Sequence, residues 1–328
     1  MPRCSIIIPV YNHASLTRQC LNLLLTQPPL GGDVEIIVVD DASTDATPAM
    51  LAGYGERIRV VRHTVNSGFS VGCNDGAALA QGEYLVFLNN DTMPQPGWLD
   101  AMVRYIVGHP EVGAVGSKLL YPNDTIQHAG VAISQDRFPR HIYTGFPADH
   151  PVVNQSRRFP IVTAACLLIP RALFAQVGGF DTVFINSYED VDLCLRLGEL
   201  GCEVHYCHES VLYHLESVSE GRLTNVDRNG QIYFSRWGHR VQPDDHLYFI
   251  QDGLLTFEYR TIYPLTVRLS PLLGIIEEAD RAPLADRLLA QRSRQLLDLL
   301  KDYIRLTVRL KAAESGDGTE DHSKGKNL

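Results

Sequence analysis

The sequence predicts an α/β fold in which a mostly parallel central sheet is flanked by helices. Short apolar runs, of the kind that a sheet buries on both faces, alternate along the chain with longer segments of helical character. Such alternation favours βαβ units. Three of the apolar runs end in amide or carboxylate side chains. Ligands of open α/β sheets bind beyond the carboxyl ends of the strands, so the sequence predicts a ligand site there.

The elements follow one another in a regular order. The three apolar runs lie within residues 5–12, 35–45 and 82–92, and segments of helical character cover 14–26, 44–53, 71–80 and 97–108. Ser43 is a candidate N-cap of the second helix, because its hydroxyl can accept a hydrogen bond from the first turn. Further along, residues 163–169 predict a strand, and a helix is expected from Tyr188 to about Leu200.

The third run ends in Asn89, Asn90 and Asp91. A carboxylate there can bind a hard cation such as Mg²⁺, which takes few protein ligands and completes its shell with substrate phosphates. A simple turn explains the same residues, since Asn and Asp favour chain reversals for local reasons. The repetition of the pattern at Asp40 and Asp41 favours the ligand site.

The composition is that of a soluble globular protein. The chain has 328 residues, of which 45% are hydrophobic and 20% charged, and its formal net charge is −9. An acidic chain argues against nucleic acid as the main partner. Residues 5–10 are too short for a signal peptide, and no apolar run reaches the roughly 20 residues that span a bilayer. We therefore expect a cytoplasmic protein.

The seven cysteines are an odd number, which does not favour a disulfide framework in an intracellular protein. Cys202, His205, Cys207 and His208 lie close together in sequence and raise the question of a zinc site. They lack a C-x2-C pair, and a strand at this position would direct alternate side chains to opposite faces. Ordinary packing is the expected role.

Eight short motifs along residues 3–240 occur together in one order. They are Val10-Tyr11-Asn12, Asp40-Asp41, 66–70, 88–92, 178–181, 188–196, His214 with Ser217 and Ser219, and 234–238. In this combination the chain resembles the family 2 inverting glycosyltransferases, and it is most similar to their bacterial rhamnosyltransferase-like subgroup. The resemblance implies a GT-A fold, a nucleotide-diphosphate sugar as donor, and Mg²⁺ or Mn²⁺ as cofactor.

The resemblance also implies a metal site and a donor site. The family's Asp-any-Asp motif reads Asn89-Asn90-Asp91 here, so Asp91 is the one anionic ligand, and His214 is implied as a second ligand or a diphosphate contact. Asp41 matches the position that binds a uracil or thymine edge, although Asp40 and Asp41 are also explained as acids before a helix. The implied donor-binding residues are Pro9, Val10, Tyr11, Asn12, Asp40, Asp41, Asn66, Gly68, Phe69, Asn89 and Asn90.

The implied acceptor side lies in the second half of this region. Ala164, Ala165 and Tyr188 are expected to contact the acceptor, and Asp190 occupies the position of the family's general base, with Glu189 as its support. Acids in a first helical turn are also explained by the helix dipole. We expect the helix N-terminus to keep the pKa of Asp190 low. Asp192 and Arg196, four residues apart, are expected to form a surface ion pair.

The resemblance ends near residue 242, so we expect a catalytic domain at 1–242, a largely helical extension at 243–312 and a disordered tail at 313–328. Residues 283–312 have leucines at helical spacing and more basic than acidic residues. Such a basic amphipathic helix can form a homodimer or lie on a membrane surface. Packing on its own domain is the alternative.

The predicted activity is transfer of a sugar, with inversion, from a UDP- or dTDP-sugar to a hydroxyl of a saccharide or lipid-linked acceptor, in bacterial cell-surface polysaccharide synthesis. The alternative of another class is a non-catalytic module that binds a nucleotide or a sugar, and the amide at Asn89 keeps it open. A sugar nucleotidyltransferase would carry a Gly-rich basic loop after its first strand, and residues 10–13 are not such a loop. Residues 66–72 do not match G-x-G-x-x-G, which tells against a dinucleotide-binding dehydrogenase.

Overall fold

Four parallel strands form one half of the central sheet in the computed structural model, which describes residues 3–26, 34–215, 225–258 and 266–273. They are β1 (Cys4–Val10), β2 (Val34–Asp40), β3 (Arg59–Arg62) and β4 (Tyr84–Leu88), in the spatial order β4-β1-β2-β3. The helices that connect them are α1 (Ala14–Thr26), α2 (Thr47–Ala52) and α3 (Phe69–Leu79). Strands β1, β2 and β4 confirm the three predicted runs.

The other half of the sheet is mixed. Its strands are β5 (Thr92–Pro94), β6 (Val112–Leu120), β7 (Ile126–His128), β10 (Arg157–Phe159), β11 (Cys166–Pro170) and β12 (Glu203–His214). Strand β11 runs antiparallel to both β4 and β6, whereas β12 is parallel to β6, and the full order is β10-β12-β6-β11-β4-β1-β2-β3. The α/β fold class is confirmed, and the parallel part of the sheet is the part that the first three runs predict.

The remaining elements surround this sheet. They are a hairpin of β8 (Val131–Ile133) and β9 (Pro139–His141), the helices α4 (Trp98–Gly108), α5 (Arg171–Val177), α6 (Glu189–Glu199), α7 (Val226–Trp237) and α8 (Asp245–Gln251), and a second hairpin of β13 (Leu255–Glu258) and β14 (Thr266–Leu269). Short 3-10 turns lie at Gly55–Arg57, Pro151–Val153 and Pro271–Leu273. None of the helices within the described residues is long and apolar enough to cross a membrane.

The chain divides into two compact units, Met1–Asp252 and Gly253–Leu328. The first unit extends beyond the predicted domain end at residue 242 and includes α8. The second unit contains the β13–β14 hairpin. The amphipathic segment 283–312 and the tail 313–328, on which we based the dimer or membrane prediction, lie outside the described residues.

The core lies on both faces of the parallel strands. The side chains of Ile7, Val38 and Phe87 are completely buried, as the uninterrupted apolar runs predict. Helix α3 approaches the sheet closely at Gly76, where a Cβ atom would lie 2.5 Å from Cγ2 of Ile7. A glycine at this position therefore lets helix and sheet pack together.

The predicted start of the second helix is wrong. Helix α2 begins at Thr47, and the Ser43 hydroxyl instead accepts a hydrogen bond from the backbone N–H of Asn12 at 2.8 Å. The Asp45 carboxylate accepts the N–H of Thr47 at 2.8 Å. Asp45, and not Ser43, therefore accepts a hydrogen bond from the first turn of the helix. The difference arises because Ser43 is used to join the loops after β1 and β2.

The residues that raised the zinc question have other contacts. The His205 ring lies 2.9 Å from the Tyr105 hydroxyl and 2.8 Å from Glu203, and His208 lies 2.8 Å from the Ser156 hydroxyl. Burial raises the pKa of the Cys207 thiol. These contacts account for the two histidines as packed, hydrogen-bonded side chains.

Candidate functional site

A cleft of about 420 Å³ opens at the carboxyl ends of β1, β2 and β4. The three polar strand ends meet there, as the sequence predicts. The predicted site residues that line it are Pro9, Val10, Tyr11, Asp41, Asn66, Gly68, Phe69, Asn89, Asn90, Asp91, Ala164, Ala165, Tyr188, Glu189 and Asp190. Asn12, Asp40 and His214 do not line the cleft directly.

Asn12 and Asp40 support the loops behind the cleft. The Asn12 side-chain oxygen accepts the N–H of Thr44 at 2.8 Å, and Asn12 itself has a positive φ of 60°. Asp40 is buried, and its Oδ1 accepts the N–H of Ser43 at 2.9 Å. These bonds hold the loops that follow β1 and β2 against each other. Tyr11, between them and the cleft, keeps 42% of its surface exposed.

Asp41 joins the end of β2 to the loop before α3. Its carboxylate accepts the backbone N–H groups of Ser67 and Gly68, both at 2.8 Å, and lies 2.8 Å from Nδ1 of His63. Gly68 has a φ of 86°, and a Cβ atom there would lie 2.7 Å from the carbonyl oxygen of Ile185. A side chain at this position would therefore force the loop away from the cleft.

Asp91 and His214 bring two potential metal ligands together. Oδ1 of Asp91 lies 3.1 Å from Nε2 of His214, and Nδ2 of Asn89 lies 3.3 Å from the same nitrogen. Nδ1 of His214 lies 2.7 Å from Oε1 of Gln127, which orients the ring so that Nε2 faces Asp91. Support of this kind behind the ring is typical of histidines that bind a metal.

These residues fit a divalent cation, because they offer one carboxylate oxygen and one imidazole nitrogen only 3.1 Å apart. No group of three or more His, Cys, Asp and Glu side chains that could hold an ion occurs within the part of the chain that the structure describes. Two donors are few for such a cation, and further ligands are needed to complete the coordination.

The N-terminus of α6 also lines the cleft. Ser187 and Tyr188 have positive φ values of 76° and 71° just before the helix begins. The buried Asn229 of α7 donates hydrogen bonds from its amide to the carbonyl oxygens of Asn186, at 2.6 Å, and Ser187, at 3.0 Å. Non-glycine residues in this conformation cost about 1–3 kcal/mol each and need such support. Helix α7 therefore holds the turn that presents Glu189 and Asp190.

The carboxylate of Asp190 accepts the N–H of Ala164 at 3.0 Å and the N–H of Val191 at 2.8 Å. Burial raises the pKa of Asp190 above its usual value, and the hydrogen bonds from Ala164 and Val191 only partly oppose this shift. The expectation of a low pKa is therefore wrong. The reason is that desolvation of the carboxylate outweighs the favourable N–H groups at the helix N-terminus.

Two consecutive residues connect both sides of the cleft. The N–H of Ala164 binds Asp190, and the carbonyl oxygen of Ala165 accepts the N–H of Asn89 at 3.0 Å. Both alanines are buried, with 2% and 6% of their surface exposed. The segment before β11 thus fixes the carboxylate of α6 relative to the loop that carries Asp91.

The prediction that Asp192 and Arg196 pair at the surface is wrong about the surface. The two side chains do pair, at 2.7 Å, but Asp192 is fully buried. Its other carboxylate oxygen accepts hydrogen bonds from Arg236 at 2.7 Å and from Nε1 of Trp237 at 2.9 Å. Helix α7 covers this part of α6, and the sequence spacing of Asp192 and Arg196 cannot show that.

Several lining residues escaped the sequence analysis. They are Val131, Pro139, His141, Ile161, Thr163, Asn186, Ser187 and Val191, to which Gln127 is added as the partner of His214. Val131, Pro139 and His141 lie on the β8–β9 hairpin, whose strands have only three residues each. Strands this short carry little periodic signal, so no pattern in the sequence predicts their place beside the cleft.

The fold and the cleft are those of a glycosyltransferase with the GT-A fold. The chain belongs to the family described as "Glycosyl transferase family 2". The match to this family covers residues 5–172 of the chain. This confirms the family that the motifs resemble.

Two curated relatives are named for their activity or pathway. The O-antigen biosynthesis protein RfbC of Myxococcus xanthus is 35% identical over 66% of this chain and 18% of its own length. The N-acetylglucosaminyl-diphospho-decaprenol L-rhamnosyltransferase of Mycobacterium tuberculosis is 26% identical over 58% of this chain and 69% of its own length. The chain spans at most about a quarter of the length of its first curated relatives.

A solved structure with the same fold is that of GalNAc-T7 with UDP, GalNAc and Mn²⁺. Its TM-score is 0.58 at 15% identity, over 73% of this chain and 50% of that one. At this level of identity the similarity establishes the fold.

Proposed function

We propose that this glycosyltransferase moves one sugar, with inversion, from a UDP- or dTDP-sugar to a hydroxyl group of a saccharide or lipid-linked acceptor. The names of the two relatives support a role in bacterial cell-surface polysaccharide synthesis. They also favour a rhamnosyl or hexosyl group as the transferred sugar. The proposal includes Mg²⁺ or Mn²⁺ as cofactor and a cytoplasmic location.

The observation that carries the proposal is the link through Ala164 and Ala165. This segment binds Asp190 through one residue and the Asn89 loop through the next. A carboxylate and the loop that carries Asp91 are therefore held at one cleft. In an inverting displacement the attacking hydroxyl and the departing diphosphate lie on opposite sides of the sugar carbon, so in this proposal the sugar binds between Asp190 and the Asp91–His214 pair.

On the diphosphate side, Asp91 and His214 would hold the cation. When bound, it would neutralise the charge that develops on the departing diphosphate. The contact between Gln127 and Nδ1 of His214 would orient the ring so that Nε2 faces the cation. Because the protein offers only two such donors, the diphosphate oxygens would complete the coordination.

On the acceptor side, Asp190 would accept the proton of the attacking hydroxyl. Its raised pKa makes it a stronger base than an ordinary aspartate. Glu189, which lines the cleft beside it, would orient the hydroxyl. The loops at Tyr11, Asp41 and Gly68 would surround the nucleotide.

The test is turnover by the purified chain of 328 residues. UDP-glucose, UDP-N-acetylglucosamine and dTDP-rhamnose are each incubated with Mg²⁺, Mn²⁺ or a chelator, and release of the nucleoside diphosphate is measured. We expect release from at least one donor, and loss of release with the chelator. If the protein binds donors and releases no diphosphate from any of them, with or without a broad acceptor panel, it is instead a binding module.

Calorimetry provides an independent check of the cation site. Mn²⁺ should bind weakly to the protein alone and far more tightly once UDP or dTDP is present. Asp91→Ala should abolish this gain, and Asp149→Ala, which removes an exposed acid, should leave it intact. Tight Mn²⁺ binding without nucleotide would contradict the proposed site.

A further inference from the structure

An aromatic surface continues outward from the cleft beside Asp190. Tyr188 lines the cleft, and its ring lies 5.3 Å from that of Tyr233. Tyr233 contacts Phe138 at 5.7 Å, and Phe138 stacks on Phe234 at 5.4 Å with an angle of 15° between the rings. The four rings form a continuous row from the cleft to the surface of α7.

The row has a buried base and three accessible members. Tyr233 is fully buried, and its hydroxyl donates a hydrogen bond to the carbonyl oxygen of Arg137 at 2.8 Å. Tyr188 and Phe138 are partly exposed, and Phe234 exposes 46% of its surface. We call Tyr188, Phe138 and Phe234 the aromatic platform. Packing of the β8–β9 hairpin on α7 explains Tyr233, but it does not require a ring as exposed as that of Phe234.

The platform is also connected through the chain to the β8–β9 hairpin. Phe138 directly precedes Pro139, which lines the cleft on β9. The ion pair of Asp136 and Arg140 lies beside it, with the two groups 2.5 Å apart and both partly exposed. Exposed rings flanked by a carboxylate and a guanidinium are the groups that bind a sugar, because its C–H face packs on an aromatic ring while its hydroxyls form hydrogen bonds.

We propose that the aromatic platform binds the saccharide rings of an extended acceptor, leading away from the hydroxyl that faces Asp190. This inference rests on the proposed function and adds to it a class of acceptor: an oligosaccharide of several units. The units next to the attacking hydroxyl lie over Tyr188, and the more distant ones lie over Phe138 and Phe234.

The experiment measures saccharide binding without donor or metal. The probes are methyl glycosides of rhamnose, glucose, galactose and N-acetylglucosamine, and linear tetrasaccharides built from these sugars. Binding to the same chain is followed by saturation-transfer NMR and by calorimetry. We expect at least one tetrasaccharide to bind, and Phe234→Ala to weaken it by about threefold to tenfold, the value of one aromatic contact.

Two controls separate the platform from a general effect. Phe234→Tyr keeps the ring and should restore binding. Leu200→Ala removes another apolar side chain that is 46% exposed, at the end of α6 remote from Asp190, and should change nothing. Binding of the methyl glycosides should not respond to Phe234→Ala, because a single sugar beside Asp190 does not reach that ring.

The inference is overturned if no tetrasaccharide binds the wild-type protein, or if Phe234→Ala binds every tetrasaccharide as tightly as the wild type does. Release of nucleoside diphosphate from donors is measured on the same samples. If donors are turned over but saccharide binding does not depend on Phe234, the platform proposal is wrong and the proposed activity stands. If binding depends on Phe234 but no donor is turned over, the proposed activity is wrong and the platform still binds saccharides.

Discussion

The strand side of the cleft, formed by the loops after β1, β2 and β4, is built from backbone segments that directly follow the predicted strands. The helix side, formed by the turn before α6 and by the β8–β9 hairpin, depends on side chains from distant parts of the chain. Asp41 binds N–H groups 26 and 27 residues away, whereas the turn at Ser187 is held by Asn229, 42 residues away. On the helix side, Asp192 is fully buried and pairs with both Arg196 and Arg236.

This difference indicates which substitutions should damage which property. On the strand side, the buried carboxylates of Asp40 and Asp41 accept backbone N–H groups, but Asp45 lies in an exposed loop, where a single change should have a modest effect on stability. On the helix side, a carboxylate with a raised pKa and a buried ionic network share one short helix. Changes there should affect either chemistry or folding strongly.

Asp190→Asn should have the largest effect. A positioned base contributes about 10²–10⁴-fold to proton transfer, so sugar transfer should fall by that factor while donor binding survives. The stability of the fold should not decrease. An acid whose pKa is raised in the folded protein destabilises the fold when the pH exceeds the pKa of that acid in the unfolded chain, and Asn cannot ionise. Transfer rates and thermal unfolding at neutral pH test both points.

The pH profile sharpens the same prediction. Wild-type transfer should decline as pH falls through the pKa of Asp190, which lies above that of an ordinary aspartate. Transfer by Asp190→Asn at a rate near that of the wild type would show that another group is the base.

Asp192→Asn should have the second largest effect, and it should lower the free energy of unfolding. The change removes the charge that compensates Arg196 and Arg236, and breaking a buried ion pair from one side costs on the order of 3 kcal/mol. Urea unfolding of the two proteins measures this difference. An unchanged free energy of unfolding would mean that the helix side tolerates loss of the Asp192 charge. It would contradict the expectation that changes on the helix side have strong effects.

Gln127→Leu should weaken cation binding. Without the amide oxygen, Nδ1 of His214 loses the contact that orients the ring, and changes of this kind typically reduce metal affinity about 10- to 100-fold. Calorimetry with Mn²⁺ and UDP provides the measurement. Gln155→Leu, in which the lost amide binds only the carbonyl oxygen of Val152, serves as the matched control and should retain the affinity.

Asp45→Ala, on the strand side, should have the smallest effect. It removes the acceptor at the start of α2 and a bond from the N–H of Ala14, which should cost about 1 kcal/mol. Burial alone would raise the pKa of Asp45, but the hydrogen bonds from Thr47 and Ala14 lower it overall. The stabilisation should therefore be present at neutral pH and disappear as pH falls through that lowered pKa.

Unfolding measured across this pH range, with Thr44→Ala for comparison, checks the effect of Asp45. The Thr44 hydroxyl makes only a 3.4 Å contact with Asn12. A loss larger than that of Asp192→Asn would reverse the proposed order of the two sides.

The resemblance of the chain's motifs supplied the family and most of the cleft residues, and the sequence by itself determined the three parallel strands and the α/β class. This was possible because apolar runs buried on both faces are continuous in sequence, and parallel strands bring their ends together automatically. Asn89 to Asp91 and Asp41 could be placed in the cleft for this reason.

Only the tertiary structure decided the properties that depend on distant neighbours. The spacing of Asp192 and Arg196 predicts that they pair, but their burial follows from Arg236 and Trp237 on α7. The position of Asp190 at a helix N-terminus predicts a low pKa, but desolvation by the surrounding chain raises it. Burial and the partners of a charge are sums over the whole fold, and a local pattern contains neither.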